Sequence, residues 1–206
     1  SKFEHNDYTG VEFQPSARLA WLATPAQTVW AAASRAVRTP SRIDRDLYAP
    51  ATPPYVLVGS PGFDSEVVYA FEAGYRIHPS NLLTGSLATY FNNYYELRSI
   101  EAGPPAFLGN LMEGRSYGAE VEAGIQATRT WRLDGGYGYL HLELDPMPGS
   151  TDFTSARLAG DSPRHQGSLR SSFLVTSALA VDVTARYVSN LPNQRVPAYA
   201  TGDLRV

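Results

Sequence analysis

From Tyr117 to Thr128, side chains alternate without a break: Tyr117, Ala119, Val121, Ala123, Ile125 and Ala127 on one parity, Gly118, Glu120, Glu122, Gly124, Gln126 and Thr128 on the other. A period of two belongs to an extended strand, whose successive side chains point to opposite faces, and not to a helix. The pattern recurs. Tyr69, Phe71, Ala73, Tyr75 and Ile77 oppose Glu72, Gly74, Arg76 and His78, with Ala70 the one interruption. Leu169, Phe173 and Val175 oppose Ser168, Arg170 and Ser172, and Val181, Val183, Ala185 and Tyr187 oppose Asp182, Thr184 and Arg186. Each run predicts a strand with one apolar face and one polar face.

The pattern predicts strands or strand pieces at 1–5, 11–23, 28–38, 65–78, 82–100, 115–128, 132–145, 164–176, 181–190 and 198–206. The connections fall into two classes that alternate along the chain. Thr24–Gln27, Pro79–Asn81, Thr128–Trp131 and Ser177–Ala180 are short, whereas Thr39–Asp64, Glu101–Gly114, Pro146–Pro163 and Leu191–Pro197 are longer and rich in Pro, Gly, Ser and Asp. Tight turns therefore collect at one end of an antiparallel array and long loops at the other. Strands of ten or more residues exceed the five or six usual in soluble sheets and match the nine to eleven needed to cross a bilayer at a tilt. This is the plan of an up-and-down transmembrane β-barrel, all-β and antiparallel. The apolar face is then expected in lipid and the charged face in the lumen, since a charge at the bilayer midplane costs up to a few kcal/mol. Trp and Tyr gather at the two membrane interfaces of such barrels. Trp21, Trp30, Tyr75 and Trp131 near the short turns, with Tyr90, Tyr94, Tyr139 and Tyr187 toward the long loops, are the expected belts. Alternation alone is equally consistent with a soluble β-sandwich whose apolar face meets a second sheet.

Composition narrows the function classes. A net charge of -3 with scattered arginines and Lys2 as the sole lysine gives no footprint for nucleic acid. The absence of cysteine excludes disulfides and thiolate metal sites. No apolar run is long enough for a transmembrane helix. No nucleophile elbow, phosphate loop or zinc signature occurs. His5, His78, His141 and His165 lack the spacing of metal ligands, and Asp44, Arg45 and Asp46 read as a solvated loop. No enzyme activity, cofactor or metal is expected. The chain begins and stops within strand-like segments, so a piece of a longer precursor is expected.

Several segments taken in order resemble a known family: Glu12–Leu47, with "RAVRTPSR" at Arg35–Arg42 the most diagnostic, Val67–Glu101, "EGRSYGAEVEAG" at Glu113–Gly124, "WRLDGGYGYLHLELD" at Trp131–Asp145 and "SPRHQGSLRSSF" at Ser162–Phe173. Together they resemble the later barrel strands of TonB-dependent outer-membrane receptors, nearest to the ferric-enterobactin and colicin receptor group. The resemblance implies a barrel of about 22 strands, of which some ten are present here, plugged by an N-terminal globular domain. It implies active uptake of a scarce nutrient chelate, such as a ferric siderophore or cobalamin, energised by TonB acting through the plug. The plug, the TonB-contacting segment, the early strands and the last strands are missing from this sequence. Heme, nickel complexes and oligosaccharides also remain open as cargo. A passive porin or autotransporter would share the barrel, and a β-sandwich ligand-binding module is the soluble rival.

For a plugged receptor, loop and upper-lumen side chains are expected to bind the cargo, with aromatic rings stacking and arginines attracting an anionic chelate. Arg38, Arg42, Arg45, Tyr48 and Tyr55 from the largest loop, with Phe107, Phe153, Arg157, Arg164 and Arg195, are the expected ligand-binding residues.

Overall fold

The computed structural model describes residues 1–206. In chain order the elements are β1 (Lys2–Asn6), β2 (Gly10–Gln14), β3 (Ser16–Thr24), β4 (Gln27–Arg38), helix α1 (Arg42–Asp46), β5 (Tyr48–Ala49), β6 (Leu57–Val58) and β7 (Glu66–Ser80). They continue with β8 (Leu83–Glu101), β9 (Ala106–Gln126), β10 (Trp131–Pro146), a 3₁₀ turn (Ser155–Asp161), β11 (His165–Thr176), β12 (Leu179–Val188) and β13 (Tyr199–Arg205). Nine strands form one antiparallel meander, β3-β4-β7-β8-β9-β10-β11-β12-β13, with edges open at β3 and β13.

Residues directly opposite across an antiparallel pair share a face, so the register sorts every side chain. Trp21, Val29, Tyr75, Leu87, Val121 and Tyr137 form one cross-strand file. The neighbouring file is Leu22, Thr28, Arg76, Ser86, Glu122, Gly136, Ser168, Arg186 and Thr201. Residues of six strands, among them Arg76, Glu122, Asp134, Arg170, Thr184 and Arg186, line a single open hollow of ≈ 690 Å³. The sheet is therefore curled with its charged face inside. The outer face is apolar and uncovered: Val121, Ile125, Phe173 and Val183 are 44, 44, 45 and 49 % exposed.

Only 14 of 206 residues are buried, and Phe63, Leu108 and Met112 are the hydrophobic ones among them. A sandwich would bury its apolar parity against a second layer, and none exists. The soluble-sandwich alternative is thus set aside. The array is held by its ladders, with 107 of 128 backbone hydrogen bonds inside strands and helix.

The four short connections share one device. The hydroxyls of Thr24, Ser80, Thr128 and Thr176 each accept the backbone N–H two residues on, at 3.2, 3.2, 3.3 and 3.2 Å. A hydroxyl in that position fixes a turn locally, and the short turns do lie together at one end.

Two expected boundaries need correction. The segments 1–5 and 11–14 lie outside the meander: β1 and β2 pair only with each other, Lys2 against Gln14 through Asn6 against Gly10. Pro15, which has no N–H to give a ladder, separates β2 from β3. Gly10 turns the hairpin at φ +74°, while Asn6 Oδ1 accepts the N–H groups of Tyr8 and Thr9 at 2.9 and 2.8 Å. The second correction concerns Glu101–Gly114, expected as a long loop. Here β8 and β9 run on to Glu101 and from Ala106, leaving Ala102–Pro105 as the tip. Register shifts at Tyr94/Leu97 and Leu97/Ser99 absorb the irregular residues. Asn110 Nδ2 donates to the carbonyls of Asp64 and Glu96 at 3.1 and 2.7 Å, which keeps a turn-forming residue inside a strand.

The aromatic belts also change. Trp21, Tyr75, Trp131, Tyr139 and Tyr187 are on the outer parity. Trp30 pairs with Gly74, Tyr90 with Glu72 and Gly118, and Tyr94 with Val68 and Gly114, which puts all three on the inner face. Trp30 lies where a Gly74 side chain would stand: a Cβ there would meet its ring at 2.5 Å. Tyr90 covers Gly118 in the same way, its hydroxyl 2.4 Å from the missing Cβ. Large rings laid over glycines on a curved inner wall fill the space the curvature leaves.

Candidate functional site

The long-loop end of the sheet gathers most of the buried polar groups. Its first cluster is built by α1, whose capping box closes through Ser41 and Asp44. Asp44 is fully buried and accepts from Arg38 Nη1 at 2.9 Å, Ser41 Oγ at 2.8 Å and the Ser41 N–H at 2.8 Å. Arg98 Nη1 approaches its other oxygen at 3.4 Å. Arg38 also forks onto Glu66, Nε to Oε2 at 2.6 Å and Nη2 to Oε1 at 2.8 Å. Burial alone would push the Asp44 carboxyl up; the hydrogen bonds from Arg38 and Ser41 outweigh it and hold it at about 2.

Beside this cluster, Arg45 Nε donates to the Phe63 carbonyl at 2.9 Å and its guanidinium lies 5.0 Å over the Tyr8 ring. Tyr8 Oη in turn donates to Asp46 at 3.1 Å. Ser65 Oγ donates to Glu12 at 2.6 Å, and Arg35 approaches Glu12 at 3.6 Å. The β1–β2 hairpin is thereby fastened to the 39–65 connection. The Tyr48 and Tyr55 rings meet at a tilt of 52°, their centroids 5.1 Å apart.

The second cluster joins segment 147–163 to β8. Glu101 accepts from Ser150 Oγ, the Thr151 N–H and Thr151 Oγ1 at 2.8, 2.6 and 2.8 Å. Asp152 accepts from the Ile100 N–H at 2.7 Å and from the N–H groups of Thr154 and Ser155 at 3.0 and 2.9 Å. Glu101 and Asp152 are 3 and 2 % exposed. Burial raises both carboxyls, and the surrounding hydroxyl and amide donors more than reverse it, leaving both below their ordinary values.

The two connections pass the β8–β9 tip from opposite sides. A strand has two edges, and β8 occupies one edge of β9 as far as Glu101 against Phe107. Pairing with β10 stops at Met112 against Pro146. Beyond that point β6 takes the second edge in parallel, Leu57 against Ala106 and Val58 against Phe107. Segment 147–163, leaving from β10, instead reaches the edge of β8 that β9 does not use.

Among the residues expected to bind cargo, Arg38 and Arg45 are committed to internal contacts. Arg42, 89 % exposed, makes only a 3.9 Å approach to Asp46. Tyr48 of β5 and Phe107 of β9 each pair with Val58 of β6, and the Tyr55 ring lies against that of Tyr48. Phe153 and Arg157 lie on the second connection, Phe153 being 74 % exposed. Arg164 uses its carbonyl, which accepts the Leu140 N–H at 2.9 Å, and Arg195 sits at φ +55° in the 191–196 connection. The structure thus divides the ten residues between two loops and a turn and does not assemble them into one cluster.

The inner wall was not among the expected site residues. Near the short-turn end it carries alternating charges: Arg132 with Asp134, Arg170 with Asp182 at 2.9 Å, and Arg186 with Asp203. The polar parity of the strands was the signal that could have found it. No group of three or more His, Cys, Asp or Glu side chains is arranged to hold a metal ion.

A polar, curled inner face, an uncovered apolar outer face and loops crowded at one end are the features a comparison has to match. The sequence model of the TonB dependent receptor-like β-barrel family matches residues 1–206, the entire chain. The chain belongs to that family. Solved receptor and transporter structures superpose on it. The FrpB iron transporter of Neisseria meningitidis does so with TM-score 0.76 at 12 % identity, over 96 % of this chain and 33 % of its own. The siderophore receptor PirA of Pseudomonas aeruginosa gives 0.70 at 15 % identity, over 98 % and 34 %. A mutant of the ferric enterobactin receptor PfeA of Pseudomonas aeruginosa, in complex with enterobactin, gives 0.72 at 17 % identity, over 98 % and 34 %. At these identities the likeness is one of fold, and the chain spans about a third of the length of each. No curated protein sequence matches.

Proposed function

We propose that this chain is wall and mouth of an outer-membrane receptor for TonB-dependent uptake of an anionic nutrient chelate, with ferric siderophores the favoured class. The uncovered apolar face carries this reading. A face with Val121, Ile125, Phe173 and Val183 each at least 44 % exposed calls for an apolar covering, which the hydrocarbon of a bilayer supplies. The inner wall is charged, which suits a water-filled or plugged lumen. Arg157, Arg164 and Arg195 have guanidiniums free of any ion pair within the chain and stand at the loop end, where an anionic chelate arrives. A plug domain elsewhere in the polypeptide belongs to this reading, since it is what TonB acts on.

The test is iron uptake by cells that carry the gene and lack other siderophore receptors. Radiolabelled iron accumulation from a panel of ferric siderophores is expected with TonB and not without it. Accumulation independent of TonB would make the barrel a passive pore. Recovery of the protein in the soluble fraction would end the membrane reading altogether.

A further inference from the structure

We infer that segment 147–163 is a strap fastened by two carboxylates, Glu101 and Asp152, and that it leaves the loop end as one unit when that fastening is lost. The burial along the segment is the first support. Asp152 is its one buried residue, while its large apolar side chains are turned out, Phe153 at 74 % and Leu158 at 53 % exposed. A segment that buries little apolar surface owes its docking to polar contacts and sits at the low end of local stability.

Those contacts are concentrated. All three bonds accepted by Glu101 come from Ser150 and Thr151 of the strap. In return Asp152 of the strap accepts the Ile100 N–H at 2.7 Å, and Thr151 Oγ1 accepts the Ala102 N–H at 2.7 Å. Asp152 also folds the strap on itself, through Thr154 and Ser155, so that the same carboxylate shapes the strap and docks it. At the far end the docking is lighter: Asn193 Nδ2 donates to Asp161 at 2.7 Å, and the Asn193 N–H reaches the Gly160 carbonyl at 3.3 Å.

The ends favour movement as a unit. Pro146 closes β10, Pro163 precedes β11, and Gly149 holds φ +93° with open space around its missing side chain. When docked, the 3₁₀ turn packs against β10, whose inward side chains at this level are Leu140, Leu142 and Leu144. Release takes the 3₁₀ turn away from β10, and Leu142, on the inner parity of that strand, is the position that reports it. This holds whatever cargo the receptor carries.

The test uses the full polypeptide in its membrane and trypsin, for which Arg157 is a site on the strap and Arg42 a control on α1. In the E101Q/D152N variant, cleavage after Arg157 is expected to accelerate about tenfold or more, since hydrogen bonds to a charged acceptor are stronger than those to a neutral amide, while cleavage after Arg42 is unchanged. Equal rates at Arg157 in variant and parent would overturn the proposal. Should the double variant fail to fold, T151V decides, because it keeps both carboxylates and removes one donor to Glu101 together with the acceptor of the Ala102 N–H. Faster cleavage after Arg157 in T151V supports the strap, and an unchanged rate overturns it. In L142C, with any cysteine outside residues 1–206 replaced by serine, thiol labelling is expected to quicken with the same latch substitutions, and labelling that does not respond to them counts against release as a unit.

Discussion

At the scale of single residues, charge at the loop end is spent on the loops themselves. Asp44 joins Arg38, Ser41 and Arg98, so Asp44→Asn is expected to loosen the 39–65 connection by about 2 kcal/mol, read as faster amide exchange from Ser41 to Ser60 with β9 unaffected. The pH dependence has a definite sign. A carboxyl whose folded value falls from 3.8 to about 2 contributes stability that is complete above 3.8 and disappears as pH drops toward about 2. Amide protection in that connection is expected to fall in the same window, and protection that is flat across it would remove Asp44 from this role. The arginines without internal partners belong to a different experiment. Arg157→Ala, Arg164→Ala and Arg195→Ala are each expected to weaken binding of an anionic chelate severalfold, measured by equilibrium titration, with the fold intact. Arg38→Ala is expected to act through loop order first. Position in the sequence could not separate these two kinds of arginine, because both fall in or beside the long connections; only their partners, Glu66 and Asp44 in the case of Arg38, tell them apart.

At the scale of elements, the parity of a strand decides what a substitution does. Val121→Arg places a charge on the outer face and is expected to cost about 2–4 kcal/mol near a bilayer midplane, whereas Glu122→Gln, one residue along and facing inward, is expected to change stability by well under 1 kcal/mol. Denaturant unfolding in lipid vesicles measures both, and equal effects would contradict the assignment of faces. Gly118→Val tests the inner wall, since a Cβ there would meet the Tyr139 carbonyl at 2.1 Å and the Tyr90 hydroxyl at 2.4 Å. The expected outcome is a receptor that no longer assembles, read by its failure to resist heat in detergent. The strands themselves were legible because alternation is a local signal. Their inner aromatics were misplaced for a specific reason: nearness to a turn says how high a ring sits and nothing about which way it points. For Tyr90 and Tyr94 the parity of β8, with Leu83, Leu87 and Phe91 outward, contained the answer. For Trp30 it did not, since Val29, Ala31 and Ala33 on one side and Ala32 and Ala36 on the other leave both parities of β4 apolar.

At the scale of the whole molecule, one layer of sheet with an uncovered apolar face and unpaired edges at β3 and β13 has no stable existence in water. Residues 1–206 produced without detergent are expected to associate, seen as high-order species in size-exclusion chromatography, and a stable monomer there would refute the lipid-facing assignment. The amino-acid order by itself determined the strand periodicity, the opposition of charged and apolar faces, and the grouping of the four short connections at one end, because each is set by residues a few positions apart. The tertiary structure alone decided where the long connections go. Gly109, Asn110 and Gly114 spell a loop, yet they lie in β9 because Asp64 and Glu96, 46 and 14 positions from Asn110, supply its partners. Glu101 and Asp152 acquire their meaning 49 to 52 residues apart in the chain. Contacts of that reach depend on how the strands curl and which edges are left free, and no local pattern encodes either.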